Sequence, residues 1–180
     1  FVGTNRVGEH LGGYDEWTVD LTDAVAQAGG GDIPLAVRCD NSRDAETIPS
    51  DLSDFNRYGG LYRHVTLVYT PALALERVHV EPTLGADGKA RVKVRGRLHH
   101  PAVLPEAVAL RLDIRDPQGR TIHTLTQKLA PWSGAKEIMA VEIAEPELWS
   151  PQTPALYTCR VTLQTVHGEQ TVAERFGVRS

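Results

Sequence analysis

The stretch Leu110-Arg111-Leu112-Asp113-Ile114 places apolar and charged side chains in alternation, and the turn sequence DPQG follows it at residues 116–119. Because successive side chains of a β-strand point to opposite faces, this alternation predicts a strand with one face buried. Asp, Pro and Gly favour turn geometry, so we expect the strand to end and the chain to reverse there. The pattern is typical of an antiparallel sheet.

The same period of two residues recurs along most of the chain and predicts further strands. The remaining alternating positions are Ile33, Leu35, Val37 and Cys39, then Val65, Leu67 and Tyr69, then Val92 and Val94, and the runs 138–143, 157–163 and 171–178. Turn sequences at residues 85–88 (GADG) and 167–169 (HGE) separate some of these runs. Only residues 22–28 indicate a helix, which three glycines close. We therefore predict an all-β protein.

The spacing of the predicted strands becomes more regular after residues 71–73 (PAL), which predicts a domain boundary there. We expect a first domain of residues 1–72 and a second of residues 73–180, in which turns recur at the spacing of an immunoglobulin-like β-sandwich. The second domain lacks the Cys, Trp, Cys pattern of antibody domains. The first offers too few candidate strands to cover its own sheet, so we expect partner strands upstream of Phe1.

Composition excludes two classes of function. Lys and Arg number 19 against 23 Asp and Glu, with no block of like charge, so the electrostatic footprint of a nucleic-acid-binding protein is missing. No apolar run reaches the length of a membrane span, and the amino terminus does not resemble a signal peptide. A soluble segment is expected, but the sequence does not indicate its compartment.

Several residues that could carry chemistry are better explained by packing. Cys39 and Cys159 lie in alternating apolar runs, which predicts buried thiols rather than a disulfide. Histidines such as those at residues 99–100 show no metal-ligand spacing with cysteine or acidic partners, so no firm metal site is predicted. The tryptophans occupy three separate segments, which favours packing over a sugar-stacking platform: Trp17, Trp132 and Trp149.

Two stretches of the first domain resemble the amino-terminal half of family 2 glycoside hydrolases, the β-galactosidase and β-glucuronidase type. Residues 8–14 (GEHLGGY) and 17–22 (WTVDLT), continuing into 35–41 (LAVRCDN), are similar to the sugar-binding jelly roll of that family. Residues 54–63 (DFNRYGGLYR) resemble the family pattern D-F-x-x-Y-G-G-[IL]-Y-R-D-V, with His64 in place of the usual acidic residue.

A third pair of strings extends the resemblance to the second domain. Residues 148–157 (LWSPQTPALY) and 175–180 (RFGVRS) are similar to the closing strands of the family's immunoglobulin-like domain. The resemblance thus implies a partial, galactose-binding-like jelly roll followed by an immunoglobulin-like sandwich. It also implies a parent enzyme, most like a β-galactosidase, whose catalytic glutamates lie in a (β/α)8 barrel of the same polypeptide.

The resemblance assigns one residue a role at the sugar. Asp54 matches the family position whose carboxylate binds hydroxyls of the carbohydrate substrate, and in some β-galactosidases also contacts a sodium ion. A carboxylate suits this role because it accepts charge-assisted hydrogen bonds from neighbouring hydroxyls. The alternative is that Asp54 caps the following turn. Asn56 and Arg57 share the loop and could add contacts, although solvent exposure is the simpler expectation.

No pair of carboxylates in this sequence indicates catalysis. A retaining glycosidase needs two carboxyl groups about 5 Å apart across the sugar. Asp51 with Asp54, and Glu145 with Glu147, lie in polar loops where surface carboxylates are expected. We therefore expect a non-catalytic accessory segment, without an organic cofactor, that shapes the pocket of the barrel.

The alternative is a stand-alone carbohydrate-binding or adhesion module, which would need a complete sandwich and an exposed aromatic platform. The sequence leaves open the sugar on which the parent acts, among galactose, glucuronate and mannose. It also leaves open whether the parent is a homo-oligomer and whether the segment is a natural truncation.

Overall fold

The chain divides into two compact units, Phe1–Leu67 and Val68–Ser180. The computed structural model describes residues 1–42, 44–46, 58–100, 106–166 and 168–179. These residues form one short helix, in the first unit, and seven antiparallel strands, in the second. The regular structure is therefore dominated by strands, and the predicted all-β class is confirmed.

The second unit is a β-sandwich. Its strands are β1 (Ala74–Leu84), β2 (Ala90–His99), β3 (Val108–Arg115), β4 (Thr121–Leu129), β5 (Lys136–Ile143), β6 (Tyr157–Thr165) and β7 (Gly168–Phe176). One sheet has the order β1-β2-β5, and the other has the order β4-β3-β6-β7. Because β5 pairs with β2 and β6 pairs with β3, the chain crosses between the sheets after β2, β4 and β5, as immunoglobulin-like sandwiches do.

The core consists of the alternating apolar side chains that the sequence marks. Leu110, Leu112 and Ile114 of β3 are fully buried, and Val92 and Val94 of β2 face them from the other sheet. Burying an aliphatic side chain of this size stabilises a fold by about 1.5–3 kcal/mol relative to leaving it in water. The period of two residues therefore explains both why these strands form and how the two sheets hold together.

The alternation did not reveal two strands, β1 and β4, and both lie at sheet edges. Most side chains of β4 are exposed, including Ile122 and Leu125, so its sequence need not alternate. β1 contains Pro82, which an edge strand tolerates because one row of its backbone groups needs no partner strand. Its register also shifts between Leu75 and Arg77, which interrupts the pattern.

The predicted turn at residues 116–119 connects β3 to β4 and is organised by Asp116. Its buried carboxylate accepts hydrogen bonds from the backbone N–H of Gln118 (3.0 Å) and Arg120 (2.8 Å) and from Nε of Arg120 (2.6 Å). Burial alone would raise the pKa of Asp116, but the bonds from Arg120 outweigh it and hold that pKa below its usual value. The carboxylate is therefore ionised at neutral pH and fixes the turn.

The helix α1 (Thr22–Gln27) is the regular element of the first unit among the described residues. It begins where the backbone N–H of Thr22 donates to Oδ1 of Asp20 (2.8 Å), and Gly29 follows it with a φ of +76°. The prediction of a helix at residues 22–28 is thus confirmed to within one residue. Within the described residues, no helix combines the length and apolar character needed to cross a lipid bilayer.

The predicted strands at residues 33–39 and 65–69 are not part of a ladder. In the first run Leu35 forms an isolated bridge with Val2, flanked by backbone hydrogen bonds of Pro34 and Ala36 to residues 1–3, and the second run forms no strand. A regular strand requires a neighbouring strand to bond to, and neither run has one among the described residues. The apolar side chains of both runs, which we predicted to face inward, are largely exposed: Leu35, Val37, Val65, Leu67 and Tyr69.

The two cysteines differ in burial, because only one of them lies in a strand with neighbouring strands. Cys159 lies inside the sandwich, and burial raises the pKa of its thiol to about 12. Cys39 lies at the end of the run 33–39, beyond its short bridge to residues 1–3, and is exposed, so the prediction of a buried thiol is wrong there. Neither forms a disulfide.

Two glutamine side chains join the sheets at the open sides of the sandwich. Gln170 of β7 accepts a hydrogen bond from the backbone N–H of Leu75 (2.6 Å) and donates one to its carbonyl (3.3 Å), at the register shift of β1. Gln127 of β4 donates to the carbonyl of Ile138 on β5. We call these contacts the glutamine bridges. Each satisfies backbone groups of an edge strand with a side chain from the facing sheet.

We expect Gln170→Ala to lower the free energy of unfolding by about 1–3 kcal/mol, because it leaves both partly buried backbone groups of Leu75 without their partner. Urea denaturation of the full chain, followed by circular dichroism, measures the change. Gln164→Ala on the exposed face of β6 is the matched control and should stay within about 0.5 kcal/mol of wild type. Equal stabilities of the two variants would contradict a structural role for the bridge.

Candidate functional site

The residues that the sequence nominates for sugar binding, Asp54, Asn56 and Arg57, lie outside the described residues, as does Asp51. The sodium contact implied for Asp54 falls on the same segment. The structure does describe the chain on the carboxyl side of this loop, from Tyr58 onward, and the stretches that contact residues 58–63. These residues form the frame of the candidate site.

Three separate stretches of the first unit meet in this frame. Tyr62, in the stretch that follows Asp54, donates a hydrogen bond from its hydroxyl to the carbonyl of Gly13. Gly59 lies against the side chain of Asn41. Residues 8–14, 35–41 and 58–63, which are far apart in sequence, are thereby held together. The first two strings that carry the family resemblance thus converge in space.

The two glycines of the frame are required by its backbone. A Cβ on Gly59 would lie 3.3 Å from Nδ2 of Asn41, so a larger residue would push this amide away. Gly60 has a φ of +73°, which L-residues with a side chain rarely adopt. Close approach thus explains the glycine at position 59, and positive φ explains the glycine at position 60. The pair fixes the course of the chain that leaves the Asp54 loop.

An ionised carboxylate, Asp40, lies next to Asn41 in the chain and was not nominated from the sequence. Its Oδ1 accepts a hydrogen bond from the backbone N–H of Ser42 (3.0 Å), and Nη2 of Arg38 lies 3.3 Å from Oδ2. The bonds from Ser42, and to a smaller extent the charge of Arg38, lower the pKa of Asp40 below its usual value. Asp40 therefore carries a negative charge at neutral pH and anchors the turn that leads towards the candidate loop.

His10 and Trp17 form a parallel stack, with ring centroids 5.7 Å apart and planes within 4° of each other. A Cβ on Gly8 would lie 2.8 Å from Cγ2 of Val19, so this part of the unit is closely packed. Nε2 of His10 is buried and has no hydrogen-bond partner within the described part of the chain. Trp17 is partly exposed, and its stacking partner is this histidine. The arrangement agrees with packing rather than a sugar platform.

A shallow, open cleft of about 420 Å³ lies beside α1 and was not anticipated from the sequence. Its lining is mainly polar: Thr4, Asn5, Arg6, Val7, Asp20, Asp23, Ala24 and Gln27. Nδ2 of Asn5 lies 3.4 Å from Oε1 of Gln27, so the amides at its rim contact each other. The cleft includes none of the residues that the resemblance nominates.

In the second unit, the string at residues 148–157 folds onto the end of the chain. The backbone N–H of Trp149 donates to the carbonyl of Val178 (2.7 Å). A Cβ on Gly177 would lie 2.9 Å from Cβ of Trp149, so only glycine allows this contact without a shift. The strings that carry the family resemblance in this unit therefore bind each other through backbone bonds and close packing.

Tyr157 begins β6 and fixes the same region. Its hydroxyl accepts a hydrogen bond from the backbone N–H of Glu147 (2.7 Å), and its ring packs on Phe176 with centroids 5.4 Å apart. A tyrosine at the start of this strand, bonded to upstream backbone, resembles the tyrosine corner of immunoglobulin-like sandwiches. The carboxylates of Glu145 and Glu147 are exposed, as expected for surface groups.

Trp132 is a core residue rather than a ligand platform. It is 7% exposed, and its Nε1 donates to the carbonyl of Gly96 (2.9 Å). A Cβ on Gly96 would lie 3.4 Å from the ring of Trp132 and 3.0 Å from Ile138. The indole therefore occupies the space over a glycine in β2, and packing is confirmed for this tryptophan.

Comparison with known proteins gives a consistent result. The sequence model of the glycosyl hydrolases family 2 matches residues 73–179, well over half of the chain. The β-galactosidase large subunit of Leuconostoc lactis is 28% identical over 95% of this chain, which covers 26% of that protein. A β-glucuronidase of Bacteroides fragilis is 37% identical over 39% of this chain, which covers 10% of that protein.

Among solved structures, Parabacteroides merdae β-glucuronidase is similar over the whole chain. The sequence identity is 39%, the TM-score is 0.91, and the chain covers 24% of that protein. The chain thus spans about a quarter or less of the length of these relatives.

We expect Tyr157→Phe to lower the free energy of unfolding by about 1–2 kcal/mol, because the backbone N–H of Glu147 loses its acceptor. Thermal unfolding of the full chain measures the effect. Tyr69→Phe is the matched control in the same unit, since Tyr69 is 88% exposed, and it should leave stability unchanged. If the two variants have the same melting temperature, the hydroxyl of Tyr157 does not stabilise the tyrosine corner.

Proposed function

Because this chain belongs to glycosyl hydrolase family 2, we propose that it is a non-catalytic accessory segment of a retaining β-glycosidase. The observation that carries the proposal is the family match over residues 73–179, in a chain that spans 24% of a similar β-glucuronidase. The catalytic glutamates would lie in a barrel domain of the same polypeptide. The first unit would complete the sugar pocket of that barrel, and the sandwich would act as a spacer.

The frame around the candidate loop supports this role for the first unit. The contacts of Tyr62 with Gly13 and of Gly59 with Asn41 fix the chain that leaves the loop. Such support is what a residue needs to present a carboxylate to a ligand at a reproducible position. We infer that Asp54 accepts hydrogen bonds from hydroxyls of the sugar at the cleaved end, and that these bonds strengthen in the transition state.

The exposed apolar side chains of the first unit also agree with a larger parent. Leu35, Val37, Val65 and Leu67 lie in alternating runs and are all solvent-exposed in this structure. Contiguous apolar faces of soluble proteins normally pack against something. We propose that other parts of the parent polypeptide cover these runs and pair with them as strands. A jelly-roll identity for residues 1–72 and a sandwich at residues 73–180 are part of the same proposal.

The substrate of the parent is a β-linked galactoside or glucuronide. Relatives with both activities match the chain, and the sequence identity is higher to β-glucuronidase structures (39%) than to the β-galactosidase of Leuconostoc lactis (28%). A stand-alone carbohydrate-binding module is less well supported, since exposed aromatic rings in and near the frame already pack on a neighbouring ring: Trp17 stacks on His10, and the ring centroids of Tyr58 and Tyr62 lie 5.1 Å apart.

The purified chain should hydrolyse neither nitrophenyl β-galactoside nor nitrophenyl β-glucuronide, because it supplies neither the acid nor the nucleophile of the reaction. Release of nitrophenol at high protein concentration is the measurement, and the complete parent enzyme in the same assay is the positive control. Turnover by the chain that is abolished by a substitution within it would overturn the assignment as accessory.

In the complete parent, Asp54→Asn should lower kcat/KM more than about tenfold, because the charge-assisted bonds to the sugar are lost in the transition state. Stability should change by less than about 1 kcal/mol, because asparagine keeps the shape and a turn-capping oxygen.

Asp51→Asn in the same stretch is the matched control for that substitution and should leave kcat/KM within about twofold. Normal kinetics of Asp54→Asn together with a clearly lower melting temperature would identify Asp54 as a structural cap and remove its contact with the sugar.

A further inference from the structure

The two sheets of the sandwich differ in whether the cations on their outward faces form ion pairs. On the three-stranded sheet, β2 presents a column of four cations, and each has an acidic neighbour on an adjacent strand or turn. The ion pairs are Arg97 with Glu76 (3.0 Å), Arg95 with Glu81 (3.6 Å), Lys93 with Glu137 (3.7 Å) and Arg91 with Asp87 (2.6 Å). These four cations of β2 are therefore balanced, and we call their side of the sheet the balanced face, although Arg77 of β1, opposite Arg97, forms no ion pair with any residue that the structure describes.

The four-stranded sheet presents arginines that are not balanced in this way. Arg115 of β3 and Arg175 of β7 both lie opposite Thr158 of β6, one on each side. Arg160 lies two residues further along β6, so it is diagonal to both. None of the three forms an ion pair with any residue that the structure describes. We call Arg115, Arg160 and Arg175 the arginine triad.

The acidic residues of this sheet are engaged elsewhere or face away. Asp113 lies opposite Arg160, but its carboxylate accepts bonds from Nε of Arg111 (3.0 Å) and from the hydroxyl of Thr124 (2.6 Å). Against the effect of burial, the charge of Arg115 also helps to lower the pKa of Asp113, but less than these bonds and the charge of Arg111 do. Glu169, at the far end of the sheet, accepts a bond from Gln164. Glu174 is opposite Cys159 and belongs to the other face. The triad therefore keeps its positive charge available.

The geometry points to a binding surface for an acidic polysaccharide at the arginine triad. Neighbouring strands are about 4.8 Å apart, so the backbones of Arg115 and Arg175 are separated by about 10 Å. Guanidinium groups bind carboxylates through paired hydrogen bonds, and three of them around one small threonine can bind successive carboxylates of one chain. This inference concerns a surface other than the Asp54 loop and is independent of the function proposed above.

The rest of the face favours a sugar polymer over a protein partner. Apart from Ile122 of β4, which alternates with Thr124 and Thr126 and is 39% exposed, the outward positions on the four strands, all of them described, carry no aromatic or large aliphatic side chain. Between the charged residues and Gln164 lie small and hydroxyl-bearing side chains: Ala109, Thr124, Thr126, Thr158, Thr162, Thr171 and Ala173. Protein interfaces are usually centred on a cluster of aromatic or aliphatic residues, and a single isoleucine at the edge strand does not form one. Hydroxyls beside guanidinium groups suit a hydrated chain of carboxylated sugars.

The test is binding of the full chain to immobilised oligogalacturonate, with neutral dextran and poly-glutamate as competing probes. The triple variant R115Q/R160Q/R175Q should raise the Kd for oligogalacturonate by at least about tenfold, and added salt should weaken wild-type binding. The control R91Q/R95Q/R97Q removes the same charge from the balanced face and should change the Kd by less than about threefold.

Four results would overturn the proposal: no binding by wild type, equal loss in the two triple variants, equal binding to dextran, or equal affinity for poly-glutamate. An equal loss of affinity in the two triple variants would mean that binding depends on net charge alone. Equal affinity for poly-glutamate would assign the surface to an acidic protein. The melting temperature of R115Q/R160Q/R175Q should not fall, since three mutually repelling cations are removed. If it does fall, the three single variants replace it, and each should weaken binding.

Discussion

Burial of alternating side chains between two facing sheets is the constraint on which the rest of the second unit depends. The interior faces of β2, β3 and β6 are closed to water, which fixes the register of every pair of strands, since a slip by one residue would turn the core outward. Once register is fixed, the positions of outward residues follow. The paired charges of one face and the arginine triad of the other are thus placed by the apolar residues behind them.

The sequence alone was informative where burial is strong and misleading where it is weak. Leu110 to Ile114 predicted β3 because each inward side chain meets the facing sheet. Edge strands β1 and β4 pack on one side and carry irregular patterns, so alternation could not reveal them. Cys39 was predicted to be buried from an alternating run that has no partner strand among the described residues. An alternating sequence indicates a tendency to form a strand, whereas burial of its apolar face also requires other elements that pack against it.

The candidate site follows a similar logic. Gly59, Tyr62, Gly177 and Tyr157 belong to the strings that carry the resemblance, and each has a structural explanation in a close contact or a backbone bond. The resemblance therefore reports mainly how the chain folds, and the chemistry rests on few residues, Asp54 above all. The arginine triad could not be read from the sequence, because its members become neighbours only through the pairing of three strands.

The glutamine bridges have a consequence for how this chain behaves among copies of itself. An edge strand with free backbone donors and acceptors is a template onto which another molecule can add, which is how sheet proteins begin to aggregate. At Leu75 both backbone groups are already occupied by the amide of Gln170, which acts as a one-residue substitute for a further strand. Edge-to-edge association is thereby discouraged at the point where β1 is irregular, without adding a strand or a charge there.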